Sequence, residues 1–151
     1  MMNKSHLTAI SRKELSAPSR YLKEKGLLVG KLLDYGCGKG KDADILGATK
    51  FDPHFFPDMD ALYSNLDTIQ FDTIYCNFVF NVVEDAAERL VVFHNLCNHL
   101  KSEGTCYITV RRDKKKLKGK TSKGTWQGYI EFDLPVVYEK KGNFIIYKLT
   151  K

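Results

Sequence analysis

No C-x-x-C pair occurs among the four cysteines of this 151-residue chain, Cys37, Cys76, Cys97 and Cys106. All four lie in apolar or glycine-rich surroundings, which argues against a zinc site or a disulfide scaffold and for reduced thiols in a reducing compartment. No metal is implied. No apolar run approaches the roughly 18 residues of a membrane span, and Met1 to Ile10 lacks the charged-then-apolar layout of a signal peptide. The expectation is a soluble, cytoplasmic protein with no membrane contact. At this length one domain covering 1–151 buries about 68–70% of its unfolded surface, so no covalent staple is required.

Acidic residues are scarce in one place. Between Arg111 and Lys123 there are eight basic residues and a single acidic one, Asp113. This segment carries +7 of a chain whose net charge is +6, which leaves the remainder at −1. A basic loop over 111–127 can attract a nucleic acid by counterion release, or it can be a solvated loop. The residues leave both readings open.

The most informative stretch runs from Leu32 to Asp42. Val29, Leu32 and Leu33 read as a short apolar strand, glycines alternate at Gly36, Gly38 and Gly40, and a helical run follows from Lys41 to Leu46. Strand, glycine bend and helix form a nucleotide-binding arrangement, because a backbone without Cβ atoms turns sharply and approaches a ligand closely. The dinucleotide pattern G-x-G-x-x-G needs glycine at 41, where Lys41 stands. This register disfavours a nicotinamide dehydrogenase. Asp34 ends the strand, giving D-x-G-x-G-x-G, and Asp52 closes the next apolar run, Ala48 to Phe51, 18 residues later. That interval is close to the one at which a second-strand carboxylate reaches ribose hydroxyls. The plain alternative is two tight turns with solvated aspartates.

The pattern resembles motif I of the Rossmann-like (class I) S-adenosylmethionine-dependent methyltransferases. The resemblance implies an α/β fold: a three-layer, mostly parallel sheet with an antiparallel C-terminal hairpin. It implies adenosylmethionine as the cofactor, with Asp34 meeting the ammonium and Asp52 the ribose. The donor-site residues on this reading are Asp34, Gly36, Cys37, Gly38, Gly40, Asp52, Pro53, Asn77 and Phe78.

The remainder follows the family's order in a trimmed form. Ser11-Arg12-Lys13-Glu14 has the form of a capping box, and a second helical piece is expected from Pro18 to Lys25, ended by Gly26. Residues 1–27 would cover the cofactor, where Arg12 or Lys13 either reaches its carboxylate or is plain surface charge. Pro-His-Phe-Phe-Pro-Asp at 53–58 is too irregular for a helix, so the second helix and third strand are reduced, leaving Ala61–Tyr63 to pair with a sheet. Phe55 and Phe56 either wall the adenine or plug the core. Phe71 to Val83 reads as a buried strand and its exit, with Asn77 at the carboxyl end and Asn77, Phe78 and Asn81 near the transferring methyl.

The [DNS]-P-P-[YFW] tetrad of adenine N6 methylation is replaced by Asn-Phe-Val-Phe at 77–80. This departure counts against that substrate. Glu84 and Asp85 open a helix with a stripe of Leu90, Phe93, Cys97 and Leu100, followed by a turn at 100–104 and a strand, Thr105 to Val110. Strands are expected at Tyr129–Phe132, Val136–Glu139 and Phe144–Leu149, with a hairpin turn at Lys141–Asn143. The whole chain is similar to a short methyltransferase-like branch of bacteria and phages through Ser11–Ser16, Asp34–Gly38, Asp52-Pro53 and Asn81–Glu84. The expected function is methyl transfer by in-line displacement to an unidentified acceptor. The alternative is a non-catalytic donor-binding or nucleic-acid-binding module. No catalytic base is identified: His54 and Glu84 are candidate proton acceptors, Asn77 and Asn81 candidate orienting groups, and Trp126 a candidate stacking surface.

Overall fold

The computed structural model describes residues 13–65, 67–113, 118–120 and 126–151, with 118–120 as backbone. Lys13 and Glu14 form a bend, so the capping box starts no helix there, and Ser11 and Arg12 lie outside the described residues. The first helix, α1, is Ala17–Glu24, with Ser16 at its N-cap and proline in its first turn. Proline lacks an amide hydrogen, which costs nothing where the first-turn amides have no helical partner. Strand β1 is Leu32–Tyr35, α2 is Lys41–Leu46 and β2 is Thr49–Phe51. Val29 lies outside β1 and is 58% exposed.

Between β2 and the next long strand come a 3-10 turn, Met59–Ala61, and a small hairpin of β3 (Tyr63–Ser64) with β4 (Asp67–Thr68). This hairpin pairs with itself, so Ala61–Tyr63 do not join the main sheet. Strand β5 is Phe71–Asn77, and a 3-10 turn at Phe80–Val82 leads to α3, Ala86–Asn98. Strand β6 is Leu100–Arg111. The segment expected as a basic loop contains a second hairpin, β7 (Lys118–Lys120) with β8 (Trp126–Gly128). Strands β9 (Val136–Lys140) and β10 (Phe144–Thr150) complete the chain.

The main sheet has six strands in the order β2-β1-β5-β6-β10-β9. Strands β2, β1, β5 and β6 are mutually parallel, and β10 runs against both β6 and β9. The last strand therefore lies one place in from the edge, and β9 is outermost. From β1 the chain winds outward to β2, then returns past β1 to β5. The switch point lies between β1 and β5, where open α/β sheets bind ligands beyond the carboxyl ends of their strands.

Helices cover both faces. Leu22 of α1 and Leu46 of α2 pack against Tyr75, Tyr107, Phe144 and Ile146 on one side. Leu96 of α3 packs against the other side, where Leu33, Ile74, Cys76 and Ile108 make a fully buried core. Of the expected stripe, Phe93, Cys97 and Leu100 pack on the core, whereas Leu90 is 58% exposed and Val92 and Leu96 complete the packed face. Residues 129–132 form no strand. Their alternation still reports packing, because Ile130, Phe132 and Leu134 lie on the core, with Phe132 edge-on to Phe80 and Tyr147.

Register slips between Phe71 and Thr73, where 100–104 is accommodated as an irregularity of β6. A Cβ on Gly104 would stand 2.8 Å from Leu100 Cδ1 and 2.9 Å from the Asp72 carbonyl oxygen. Gly104→Ala is expected to cost about 1–3 kcal/mol, the usual range for overpacking a filled site. Denaturant unfolding checks this, and an unchanged midpoint would contradict it.

Candidate functional site

Where β1, β2 and β5 end, the bend residues have no freedom to be anything but glycine at two places. Gly36 has φ +78°, and a Cβ there would stand 2.3 Å from Val79 Cγ2. Gly40 has φ +83°, and its Cβ would meet Lys50 Cδ at 2.6 Å. Left-handed backbone is costly for side-chain-bearing residues. The amides of Gly36 and Cys37 both donate to the Phe51 carbonyl, at 2.8 and 3.0 Å, which ties the bend to β2. The Asp52 carboxylate completes the tie by accepting from Gly38 N (2.8 Å), His54 N (2.9 Å) and Phe55 N (3.1 Å). One acidic side chain thus fixes two loops.

Asp34 is 3% exposed. Burial, and after it the neighbouring Asp42 charge, push its carboxyl well above the usual carboxylate range. The Tyr75 hydroxyl is near enough to favour the charged form, though outside hydrogen-bonding geometry, and Asp52 adds a smaller upward push. Burial and the Asp34 and Asp52 charges also hold the Cys37 thiol up and neutral, so it is no thiolate nucleophile.

A chain of hydrogen bonds joins α1, α2 and β5. Asp42 accepts from Ser16 N at 2.9 Å, from the Ser16 hydroxyl and from Ser19 Oγ at 2.7 Å. Asn77 Nδ2 donates to Ser19 Oγ at 2.8 Å. Direction is forced here: a carboxylate only accepts, the Ser19 proton goes to it, and Asn77 must therefore turn its NH2 toward Ser19. Asn77 Oδ1 is left as an acceptor, buried and without a partner. Asp42→Ala is expected to cost about 1–3 kcal/mol, since it strips the acceptor from buried donors. Amide exchange in α1 should then rise ahead of exchange in β5; equal protection in both would contradict the role.

These groups line one cavity of about 1140 Å³. All nine residues that the sequence singles out for a donor are on its wall. Phe78 has φ +59°, a strained value for an aromatic residue at a strand exit. His54 and Asn81 also line the cavity, whereas Glu84, Phe55, Phe56 and Trp126 do not. Glu84 instead lends its carbonyl to Arg89 Nη1 at 3.0 Å. Phe56 bridges to Asp52 and lies under Lys50 Nζ at 4.8 Å. Trp126 lies under Arg89 at 5.4 Å and packs over Gly128, so its ring is no open stacking surface.

Several wall residues were given no role by the sequence: Glu88, Val91, Asn95 and Gln127 lie in no motif, and Ser16 and Asp42 only end longer ones. Ser16 and Asp42 are 26 positions apart, and no local pattern links them. Lys13 is exposed, and of the basic segment 114–117 and 121–125 lie outside the described residues. Arg111 is ion-paired with Asp113, and Arg112 stacks on Tyr129 at 4.3 Å.

Solved structures share this arrangement. An S-adenosylmethionine-dependent methyltransferase from Clostridium acetobutylicum aligns with a TM-score of 0.50 at 17% identity, over 89% of this chain and 74% of that one. The fold is that of the Rossmann-like methyltransferases. The glycopeptide N-methyltransferase MtfA also gives a TM-score of 0.50, at 12% identity, over 97% of this chain and 79% of that one. No family model and no curated protein matches the sequence. At such identities the likeness establishes the methyltransferase fold and nothing finer. Among the described residues no helix is long and apolar enough to cross a membrane, and no cluster of metal-ligating side chains occurs.

Proposed function

We propose that the protein transfers the methyl group of S-adenosylmethionine to an acceptor by in-line displacement. One observation carries this reading: Asn77, whose buried Oδ1 is an acceptor by necessity and without a partner, lines the same switch-point cavity as Asp34. Both sites ask for a cation or a donor, and the ammonium of adenosylmethionine answers both. Asp52 retains one acceptor site for a ribose hydroxyl after accepting three amides, because a carboxylate offers about four. The residues present fit the donor. When bound, the donor supplies a methyl already activated by a sulfonium.

The protein's own work is then orientation, which recovers much of the entropic cost of a bimolecular step. Asp34 and Asn77 hold one end of the donor, Asp52 holds the ribose, and Phe78 borders the space beyond. No base is assigned, because a proton lost after methylation can leave to water.

A non-catalytic donor-binding module is the second reading, favoured by the short stretch between β2 and β5. Against it, the cavity of about 1140 Å³ extends past the proposed donor residues to Asn81, Glu88, Val91 and Gln127, a wall that donor binding alone does not use. Thermal-shift titration with adenosylmethionine, adenosylhomocysteine and NADH tests the donor. The first two should stabilise the fold by about 2.7 kcal/mol at 100 times their dissociation constants. Stabilisation by NADH alone would overturn the reading. Transfer of tritium from labelled donor to any component of a cell extract distinguishes enzyme from module.

A further inference from the structure

We propose that the acceptor is an unpaired base of a nucleic-acid strand, read by the Asn81 and Gln127 carboxamides. This rests on the methyl-transfer reading above. Asn81, in the 3-10 turn after β5, is 2% exposed, and Gln127, on β8, is 8% exposed. Asn81 Nδ2 donates to Gln127 Oε1 at 3.1 Å, and both residues line the cavity. Asn81 Oδ1 is buried and has no partner.

The hydrogen-bonding capacity of this pair does not depend on how either amide is oriented. One link between two carboxamides consumes one donor group and one acceptor, so one acceptor and one donor group always remain. A planar ligand edge with a donor beside an acceptor offers the matching pair of groups. The Watson–Crick edges of nucleobases have that form, and proteins that act on a base read it there after taking it out of the stack. Phe78, Val79, Val83, Val91 and Val92 give the same cavity apolar walls suited to a flat ring.

The charge of the surrounding chain distinguishes a base on a strand from a free one. Gln127 reaches the cavity from β8, whose partner β7 belongs to the segment with eight basic residues against one acidic. Arg111, at the start of that segment, is itself on the cavity wall with its partner Asp113. The stretch of sequence that leads into β8 is therefore the basic one, and positive charge is what a polyanion needs and a free nucleoside does not. In the transfer, a nitrogen lone pair of the base forms the new bond to the methyl carbon. The carbon–sulfur bonding pair goes to sulfur, leaving a neutral thioether, and any N–H proton lost from the base goes to water.

The test uses the full chain with tritiated adenosylmethionine. Acceptors are mixed-sequence single-stranded DNA, single-stranded RNA, the DNA duplex, free nucleosides and a nucleic-acid-free protein extract. Label is expected in one of the single-stranded polymers at least tenfold above duplex and nucleosides. Gln127→Leu should cut that transfer at least tenfold while donor affinity by calorimetry and the unfolding midpoint hold. Gln127 is used because Asn81→Leu, at a more buried position, risks the fold. Label confined to nucleosides or protein extract, or undiminished transfer by Gln127→Leu, overturns the proposal and leaves methyl transfer standing. Absence of donor binding to the parent chain overturns both.

Discussion

Asp52→Ala is expected to weaken adenosylmethionine binding about a hundredfold and to lower stability by about 1–3 kcal/mol. The first figure follows from losing the hydrogen bond from a ribose hydroxyl to a charged acceptor, worth about 1.5–3 kcal/mol. The second follows from the amides of Gly38, His54 and Phe55, which share this carboxylate and would lose their acceptor together. Asp52→Asn separates the two effects. Its remaining oxygen still serves His54 and Phe55, so the fold should hold to within about 1 kcal/mol, while donor affinity still falls about tenfold. Calorimetric titration and urea unfolding of the three proteins decide the matter. An alanine variant that binds donor as tightly as the parent would remove Asp52 from the site.

Asp34→Asn should act in opposite directions on fold and ligand. The folded-state carboxyl titrates well above its ordinary value, chiefly through burial. The folded chain therefore holds this proton more tightly than the unfolded chain does. Between the unfolded and the folded pKa, stability falls as pH rises, and it stays reduced above the folded pKa. Asparagine removes that penalty, so the variant should unfold at a higher temperature than the parent at pH 8, with the gap closing toward pH 4. Donor affinity should drop ten- to hundredfold, because a charged acceptor for the ammonium becomes a neutral one.

In the parent, affinity should rise with pH, and binding should release protons while Asp34 is still protonated in the free protein. Titrations in buffers of different ionisation heat measure that release. PH-independent affinity with no proton exchange would show that Asp34 does not face the ammonium.

Local chemistry made much of this architecture legible. The run from Leu32 through the glycines to Leu46 became strand, bend and helix because each step has its own cause: apolar residues, missing Cβ atoms, and a helix started beyond Gly40. Phe71–Asn77 and the pair Val136–Lys140 and Phe144–Thr150 were equally plain, since buried strands and a glycine turn leave strong patterns. The α3 stripe was right at Phe93, Cys97 and Leu100 and wrong at Leu90, which has Val91 as an adjacent apolar residue. Spacing alone does not say which of them faces the sheet, and both turn out exposed.

The capping box at 11–14 is a four-residue signal. The helix that forms is the piece expected from Pro18 to Lys25, and it starts after Ser16, whose hydroxyl is spent on Asp42. Such long-range pairs explain the rest of what was hidden. Ser19 with Asn77 spans 58 positions and Asn81 with Gln127 spans 46, and neither leaves any periodic trace in the sequence.

The trimmed middle leaves β2 as an edge of three residues, hydrogen-bonded on one side to β1. Asp52 hangs from the end of that strand. Segments with few neighbours open at a small fraction of the global unfolding energy, so the carboxylate proposed to hold the ribose can be released by fraying while β5 and β6 stay shut. Warming would then erode donor capture well before the cooperative melt, and the donor, once seated, would act as the missing neighbour that keeps this border closed.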